Sequence, residues 1–149
     1  MKISDCLVKK GIEVDFKATG KSSAIRRLCK ILADSSRVID YKKMMKDIFI
    51  REDIESTGIG EFIALPHART DAVSKPLIAI AISKKGIEFD SLDSRPVKII
   101  FMIVVPIKQS KQLLKLLAKV TQFLKKPNTK QELLAAESPG EIIKILKKE

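Results

Sequence analysis

The only histidine of this 149-residue chain, His67, has the side chain best suited to covalent chemistry. It directly follows Pro66 and comes shortly after two glycines, Gly58 and Gly60. A neutral imidazole can ligate a metal, act as a general base or accept a phosphoryl group. A metal site needs several ligands at a recognised spacing, and a serine triad needs an orienting acid and a nucleophile, and no motif here supplies either. We therefore predict phosphoryl acceptance without a metal or cofactor, with a histidine that only fills a gap in the core as the alternative.

The residues before His67 are typical of a rigid loop that approaches a ligand closely. Gly58 and Gly60 permit backbone conformations that let main-chain N–H groups crowd an anion. Leu65 precedes a proline and is therefore biased toward an extended conformation, while Pro66 stiffens the approach to the histidine. A loop of this kind holds the imidazole at one angle, as in-line phosphoryl exchange requires.

Two arginines close to His67 in the sequence are candidates for stabilising a phosphoryl group. Arg51 precedes the glycine-containing loop, and Arg69 lies two residues after the histidine. A cation at this point would stabilise the charge that spreads over the equatorial oxygens during transfer.

The N-terminal half has the pattern of one strand and two helices. Residues 12–18 alternate apolar and charged side chains, which predicts a half-buried strand. Ser22 is a candidate N-cap for a helix. Its apolar stripe consists of Ile25, Leu28, Cys29 and Leu32. Asp40 is a candidate cap for a second helix, whose stripe ends near Arg51 and Glu52.

The C-terminal half is predicted to contain two buried strands followed by helices. Residues 77–82 and 97–105 are continuous apolar runs, which indicate strands covered by helices on both faces. Between them we expect a turn at residues 84–86 and a short strand at 86–90.

Three further helices are predicted from their caps. Ser110 begins one with lysines on its exposed face, and Thr129 and Ser138 each begin a capping box. The whole pattern predicts a single domain over residues 1–149 with a three-layer α/β/α architecture and a central mixed sheet.

Composition restricts the possible partners and compartment. The net charge is +11, and ten lysines face four glutamates between residues 108 and 149. A nucleic-acid role is the weaker hypothesis, because the chain has one tyrosine, no tryptophan and no zinc-finger spacing. No apolar run is long enough to cross a bilayer and no signal peptide is visible, so we expect a cytoplasmic protein without membrane insertion. Cys6 and Cys29 are then expected to be reduced.

The histidine segment resembles a known active-site motif. Residues 52–68 (Glu-Asp-Ile-Glu-Ser-Thr-Gly-Ile-Gly-Glu-Phe-Ile-Ala-Leu-Pro-His-Ala) are similar to the motif of the type 2 enzyme IIA domains of the bacterial phosphotransferase system. This is the fructose, mannitol and nitrogen-regulatory family. Residues 92–97 resemble the family's Asp-Gly-x-Pro-Val turn, and residues 104–118 resemble the strand and helix that follow. The resemblance covers about residues 1 to 146 and implies a mixed sheet with helices on both faces.

The resemblance also implies roles for individual residues. His67 would accept a phosphoryl group from a histidine-phosphorylated carrier of the HPr or NPr type, and Arg51 would steady it. Ser56 and Thr57 would shape the same pocket. One position departs from the family, because Leu113 stands where members commonly have a second histidine. The loss of one charged hydrogen bond there is expected to weaken stabilisation of phospho-His67 by roughly 1–3 kcal/mol. Leu113 also lies on the apolar stripe of its helix, which is consistent with a core position.

Three functions follow from the sequence. The favoured one is a regulatory phosphocarrier of the nitrogen type, whose phosphorylation state controls its contacts with a target protein. The first alternative is a fructose-type IIA that passes the phosphoryl group to a cysteine of a IIB domain. The second is a binding module with a degenerate site, in which the basic helix faces contact an acidic partner.

Overall fold

Two long apolar segments form the centre of a six-stranded mixed sheet in the computed structural model, which describes residues 1–149. The strands are β1 (Leu7–Glu13), β2 (Gly58–Gly60), β3 (Ile63–Ala64), β4 (His67–Thr70), β5 (Leu77–Ile87) and β6 (Val97–Pro106). The helices are α1 (Ile3–Cys6), α2 (Lys21–Ala33), α3 (Tyr41–Ile54), α4 (Ser110–Lys125), α5 (Thr129–Ala135) and α6 (Pro139–Leu146). A short 3-10 helix, Ile107–Gln109, connects β6 to α4.

The sheet has β6 as its most connected strand. The order is β1-β5-β6-β3-β2, and β4 also pairs with β6 beyond the end of β3. Strand β5 is antiparallel to β6, whereas β3 and β4 run parallel to it. Strand β4 therefore takes its position and direction from the C-terminal half of β6.

Helices cover both faces of the sheet and bury two hydrophobic cores of similar size. One core contains 22 residues and includes α2 and α3, and the other contains 21 and includes α1, α4, α5 and α6. Alternate residues of β6 point into the two cores, as expected for a strand buried on both faces. The predicted three-layer architecture is confirmed.

The apolar stripe predicted for α2 is fully buried. On α4 the residues Leu113, Val120 and Leu124 are buried, whereas Leu117 is only half-buried. Leu116 and Phe123 complete the buried face of this helix.

The strand predicted at residues 12–18 is wrong in its position. Strand β1 starts at Leu7 and ends at Glu13, and its register with β5 shifts between Leu7 and Ile12. Lys10, at φ 62°, lies within this irregular stretch. After Glu13 the chain bends, and only the N–H of Phe16 still bonds to the sheet. The alternating pattern therefore spans the end of a strand and the bend after it.

The turn predicted at residues 84–86 is also wrong, as is the separate short strand after it. Strand β5 continues through these residues to Ile87, with a register shift between Ile82 and Ile87. Gly86 has φ +87°, and its N–H donates to the Ser83 hydroxyl at 3.2 Å. This glycine marks an irregularity inside one long strand, and the same sequence signal is found at turns.

Two of the predicted caps are confirmed and three are corrected. The side chains of Asp40 and Ser138 accept the backbone N–H three residues ahead at 3.1 and 3.2 Å. Ser22 instead lies inside the first turn of α2, and Ser110 is the first residue of α4, with its hydroxyl donating to a carbonyl of the 3-10 helix. Thr129 is likewise inside its helix, because the left-handed Asn128 occupies the N-cap.

No helix of the chain combines the length and apolar character needed to cross a membrane.

The geometry of Gly86 generates a stability prediction with a matched control. A Cβ at this position would lie 2.8 Å from the Pro96 ring, and positive φ strains any L side chain. We expect Gly86→Ala to lower the free energy of unfolding by about 1–3 kcal/mol in urea denaturation. Gly140→Ala, in α6 with only the Ser138 hydroxyl nearby, should instead raise it by about 0.5 kcal/mol. Equal stability of the Gly86 variant and the parent protein would contradict the assigned backbone conformation.

Candidate functional site

His67 is the first residue of strand β4, which the sequence had indicated only as a loop. The strand pairs in parallel with β6, and the Pro66 carbonyl accepts the N–H of Ile103 at 2.9 Å. Ala68 and the last residue of the strand are buried, so His67 and Arg69 lie together on the other face. Sheet pairing therefore fixes the backbone of the histidine and directs Arg69 to the same side.

His67 opens into a cavity of about 640 Å³ between α3, β4 and the start of α4. Arg51 and Arg69 line this cavity with it, so the structure brings together three of the predicted site residues. Lys111 and Leu113 contribute the α4 wall. No group of three His, Cys, Asp or Glu side chains is arranged to hold a metal ion.

One hydrogen bond fixes the protonation pattern of the imidazole. His67 Nδ1 lies 2.7 Å from the Leu65 carbonyl oxygen. A carbonyl oxygen can only accept, so Nδ1 must carry the proton, and this assignment leaves the lone pair on Nε2. The ring nitrogen that is free to bind a ligand or act as a nucleophile is therefore Nε2.

A relay of hydrogen bonds holds the Leu65 carbonyl in place. The N–H of Leu65 donates to the Thr57 carbonyl at 3.0 Å. Thr57 in turn donates from its N–H and its hydroxyl to the two carboxylate oxygens of Glu52, at 2.7 and 2.5 Å. Glu52 is only 3% exposed and forms an ion pair with Lys21 at 3.0 Å. Glu52 and Thr57 are thus positioning residues that act on His67 through the backbone of Leu65.

Three cations face the cavity without a carboxylate partner. Arg51, Arg69 and Lys111 form no salt bridge within 4.0 Å. Arg51 donates from Nη1 to the Glu55 carbonyl at 2.8 Å, which closes the end of α3 and holds the guanidinium beside the cavity. Since His67 is neutral, these side chains make the site attractive to an anion.

The two acidic residues of the cavity wall are both paired with one lysine. Lys43 Nζ lies 2.9 Å from Asp47 and 3.0 Å from Asp71. Burial opposes ionisation of Asp47, but hydrogen bonds from Thr70 and Lys43 outweigh it and hold the pKa of this carboxyl below its usual value. Four cations and two carboxylates thus line the cavity, and because both carboxylates are paired with Lys43, the other three cations remain free for a ligand.

The pKa of His67 is lowered from its ordinary value of 6.5. Burial of the ring is the main cause, and the charges of Arg51 and Arg69 act in the same direction. The Leu65 carbonyl and Glu52 oppose the shift without reversing it. The imidazole is consequently neutral at physiological pH, as a nucleophile must be.

Four predicted pocket residues do not line the cavity. Ser56 donates its hydroxyl to the Phe89 carbonyl at 2.7 Å, and both donors of Thr57 are used by the Glu52 carboxylate. Gly58 packs so closely on Ser91 that a Cβ would lie 2.5 Å from its hydroxyl oxygen. Gly60 adopts φ +93° at the end of β2. These contacts place the four residues in the framework of the histidine segment, and their contact with a phosphoryl group stays a prediction.

Leu113 is both a core residue and a residue of the cavity, as its two sequence interpretations predict. It is 6% exposed and packs into the core beneath α4, and it also lines the cavity. Sequence reasoning assigned no role to Glu52 and did not place Lys111 at the site. Lys111 lies two residues before Leu113 in the first turn of α4, and this closeness in sequence to a position already linked to the site was the available signal for the lysine.

Neither cysteine competes with His67 as a nucleophile. Both are free and buried, and burial raises the pKa of the Cys6 thiol to about 11 and that of the Cys29 thiol to about 12. Both are therefore neutral thiols at physiological pH.

Comparison with known families gives a match over almost the whole chain. The family model described as "Phosphoenolpyruvate-dependent sugar phosphotransferase system, EIIA 2" matches residues 5–149.

Individual relatives fall into two branches of that system. The fructose-specific EIIA component of Haloferax volcanii is 38% identical over 135 residues, which cover 91% of this chain and 88% of the relative. The nitrogen regulatory protein of Pseudomonas aeruginosa is 25% identical over 133 residues, covering 89% and 86% of the two chains. Among solved structures, the nitrogen regulatory protein IIA-Ntr of Neisseria meningitidis superposes with a TM-score of 0.88 at 26% identity, covering 97% of this chain and 98% of that one.

The lowered pKa of His67 can be measured directly, because its ring gives the only imidazole signals in an NMR spectrum. We expect a midpoint below 6.5, with Nδ1 protonated in the neutral form. Arg51→Gln should raise the midpoint, since one positive charge leaves the site.

Stability should follow the same titration. Between the folded-state pKa and 6.5 the unfolded chain binds more protons than the folded one, so the free energy of unfolding rises with pH across this window. His67→Gln should lack this contribution. A midpoint above 6.5, or a neutral form protonated on Nε2, would contradict the geometry of the site.

The positioning role of Thr57 predicts a second effect. Thr57→Val removes the hydroxyl that donates to the buried Glu52 carboxylate, and we expect a loss of about 1–3 kcal/mol in the free energy of unfolding. The ring signals of His67 should also shift or broaden, because the Leu65 carbonyl is held less firmly. Ser56→Ala is the control, since its hydroxyl donates to the Phe89 carbonyl and accepts the Gly58 N–H, and bonds to neither Glu52 nor Leu65. Identical His67 spectra for the Thr57 variant and the parent would exclude the relay.

Proposed function

Because this chain belongs to the EIIA type 2 family of the phosphoenolpyruvate-dependent sugar phosphotransferase system, we propose that His67 is its phosphoryl acceptor. The observation that carries this proposal is the bond from Nδ1 to the Leu65 carbonyl, which leaves one free lone pair, on Nε2, at a cavity with three unpaired cations. Family members of this kind work with HPr-type donors and IIB domains, so the donor is taken to be a phosphorylated carrier of the HPr or NPr type.

The transfer balances without a base or a metal. The Nε2 lone pair of His67 forms a bond to phosphorus while the P–N bond of the donor phosphohistidine breaks. The electron pair of that bond stays on the donor nitrogen, and the donor leaves as a neutral imidazole. The His67 ring becomes cationic. Its proton stays on Nδ1, which continues to donate to the Leu65 carbonyl. Positioning and electrostatic stabilisation supply the catalysis, as is usual for phosphoryl transfer.

The three cations have distinct places around the incoming group. Arg51 approaches from the end of α3, Arg69 from the same strand as His67, and Lys111 from α4. Donors on three elements can contact the equatorial oxygens from different sides as their charge develops. Leu113 offers no hydrogen bond, so the phosphoryl group depends on these cations.

The destination of the phosphoryl group separates two finer roles. The sequence pattern favours a regulatory role, and the close superposition on IIA-Ntr supports it. The higher identity with a fructose-specific relative supports the other role, in which a thiolate of a IIB domain attacks phosphorus and Nε2 leaves. We place the fructose-type role first, because 38% identity exceeds 25% over a similar span.

Intact-mass spectrometry tests the acceptor. Incubation with a phosphorylated HPr-type carrier should add one acid-labile phosphoryl group to the parent protein and none to His67→Ala. Arg51→Gln should lower the rate of transfer by about a hundredfold, because one charged donor to the developing oxyanions is lost. Arg51→Lys keeps the charge but not the fork of donors, so its transfer rate should lie between those of the parent protein and Arg51→Gln.

The phosphorylated protein from this experiment then shows whether the phosphoryl group passes to a IIB domain. Addition of a fructose-type IIB domain should remove the phosphoryl group from His67, and a IIB variant with serine for its acceptor cysteine should not. Retention of the group in the presence of IIB would favour the regulatory role. A parent protein that no histidine-phosphorylated donor modifies would refute phosphotransfer and leave the binding module.

A further inference from the structure

The rim of the His67 cavity concentrates exposed apolar side chains. Nine large apolar residues of the chain are exposed, and four of them line this one cavity. They are Ile50, Ile54, Ile107 and Leu114, with exposures of 51%, 76%, 56% and 70%. They come from α3, the 3-10 helix and α4, and so surround the mouth on more than one side. Apolar groups gathered in this way mark a surface that another protein covers.

The charge at this rim is positive on the α4 side and continues away from the cavity. Lys111 lies in the wall, and Lys115 and Lys119 follow at intervals of one helical turn, all three exposed. The span from Lys111 to Lys119 is about 12 Å at the rise of an α-helix. Helix α4 contains no acidic residue, and none of the three lysines has a carboxylate within 4.0 Å; Lys119 donates a hydrogen bond to the Met1 carbonyl and keeps its charge unpaired. We call these three residues the lysine row.

The opposite wall has a different balance. There Lys43 and Arg51 face Asp47 and Asp71, so the charges of the α3 side cancel and its net charge is close to zero. The surface is therefore polarised, with an apolar mouth, a neutralised α3 side and a basic α4 side. A partner with basic residues over α4 would be repelled, and one with carboxylates there would be steered toward His67.

We infer that the protein that exchanges phosphoryl groups with His67 presents an apolar centre bordered by carboxylates on the side that meets the lysine row. This inference rests on the proposed function and adds the chemistry of the partner's face. Lys115 and Lys119 lie outside the cavity and act only in the encounter, whereas Lys111 at the start of the row also faces the phosphoryl oxygens. The effect of Lys115 and Lys119 is therefore on the second-order rate of transfer and weakens as salt screens it.

A charge-reversal pair with a matched control tests this surface. Lys115→Glu/Lys119→Glu reverses two charges of the row, and Lys84→Glu/Lys85→Glu reverses two exposed charges far along β5 without altering any ion pair. The donors are two phosphorylated HPr-type carriers, one with carboxylates and one with basic residues bordering its phosphohistidine. Phosphoramidate, a small phosphoryl donor that needs no docking, reports the competence of His67 itself.

The row variant should receive phosphoryl groups from the acidic carrier about tenfold more slowly than the parent at low ionic strength. The difference should vanish near 1 M salt, where the Debye length is about 3 Å. The β5 variant should match the parent, and all three proteins should react equally with phosphoramidate. Leu114→Ser should also slow transfer from the acidic carrier, whereas Leu92→Ser, at a similarly exposed position away from the cavity, should not.

Each other outcome has a definite meaning. Equal rates for the row and β5 variants, faster transfer from the basic carrier, or transfer from neither carrier while phosphoramidate still modifies His67 would overturn the docking surface alone. Failure of phosphoramidate and both carriers on the parent protein would overturn the proposed function itself.

Discussion

The hydrogen bond from His67 Nδ1 to the Leu65 carbonyl is the contact on which the chemistry of this site depends. It selects one tautomer, points one lone pair into the cavity and fixes the plane of the ring. An imidazole free to rotate would present either nitrogen, and in-line transfer would lose the geometry it needs. The carbonyl can play this part only because its own peptide is restrained. Pairing with β6 holds the following residues, and the buried Glu52–Thr57 pair holds the peptide from the other side.

The same contacts serve both states of the histidine. In the free protein, burial and the neighbouring arginines lower the pKa of His67 and keep it neutral. In the proposed phosphorylated state the ring is cationic, and the Leu65 carbonyl and Glu52 would stabilise it. The arginines that disfavour a protonated free ring would then face the phosphoryl oxygens. Desolvation and charge thus favour a nucleophile before transfer, and hydrogen bonding and charge complementarity favour the phosphorylated ring after it.

The sequence correctly predicted the elements whose own apolar pattern is enough to bury them in the core. The apolar runs of β5 and β6 and the stripe of α2 specify their own burial, and the confirmed caps at Asp40 and Ser138 depend only on neighbours three residues away. Prediction from the sequence failed where pairing with a strand distant in sequence decides the conformation. Strand β4 is a strand only because β6 lies beside it, and the glycine of β5 marks an irregularity because the strand continues past it.

The same distinction, between local sequence signals and contacts that depend on the tertiary structure, applies to the residues of the site. His67, Arg51 and Arg69 are side chains that the local sequence identifies, and the structure brings them to one cavity. Gly58 was assigned to the anion, but its missing side chain is needed for close packing on Ser91, a residue distant in sequence. Such a requirement has no local signal. Thr57 was assigned to the pocket by the family resemblance, and the structure shows that both of its donors bond to a buried carboxylate.

Leu113 shows why the loss of a second imidazole is compatible with this fold. The side chain is buried beneath α4 among apolar neighbours while one surface forms part of the cavity wall. A histidine there would have to satisfy two ring nitrogens in a largely apolar setting, whereas leucine completes the core without a polar atom. What leucine removes is a directional hydrogen bond, and the cations supply charge in its place. Charge acts over a longer distance than a hydrogen bond but restrains orientation less, so in the proposed transfer the alignment of the phosphoryl group would fall mainly to the fixed imidazole and to the guanidinium of Arg51, whose own position is set by the Glu55 carbonyl.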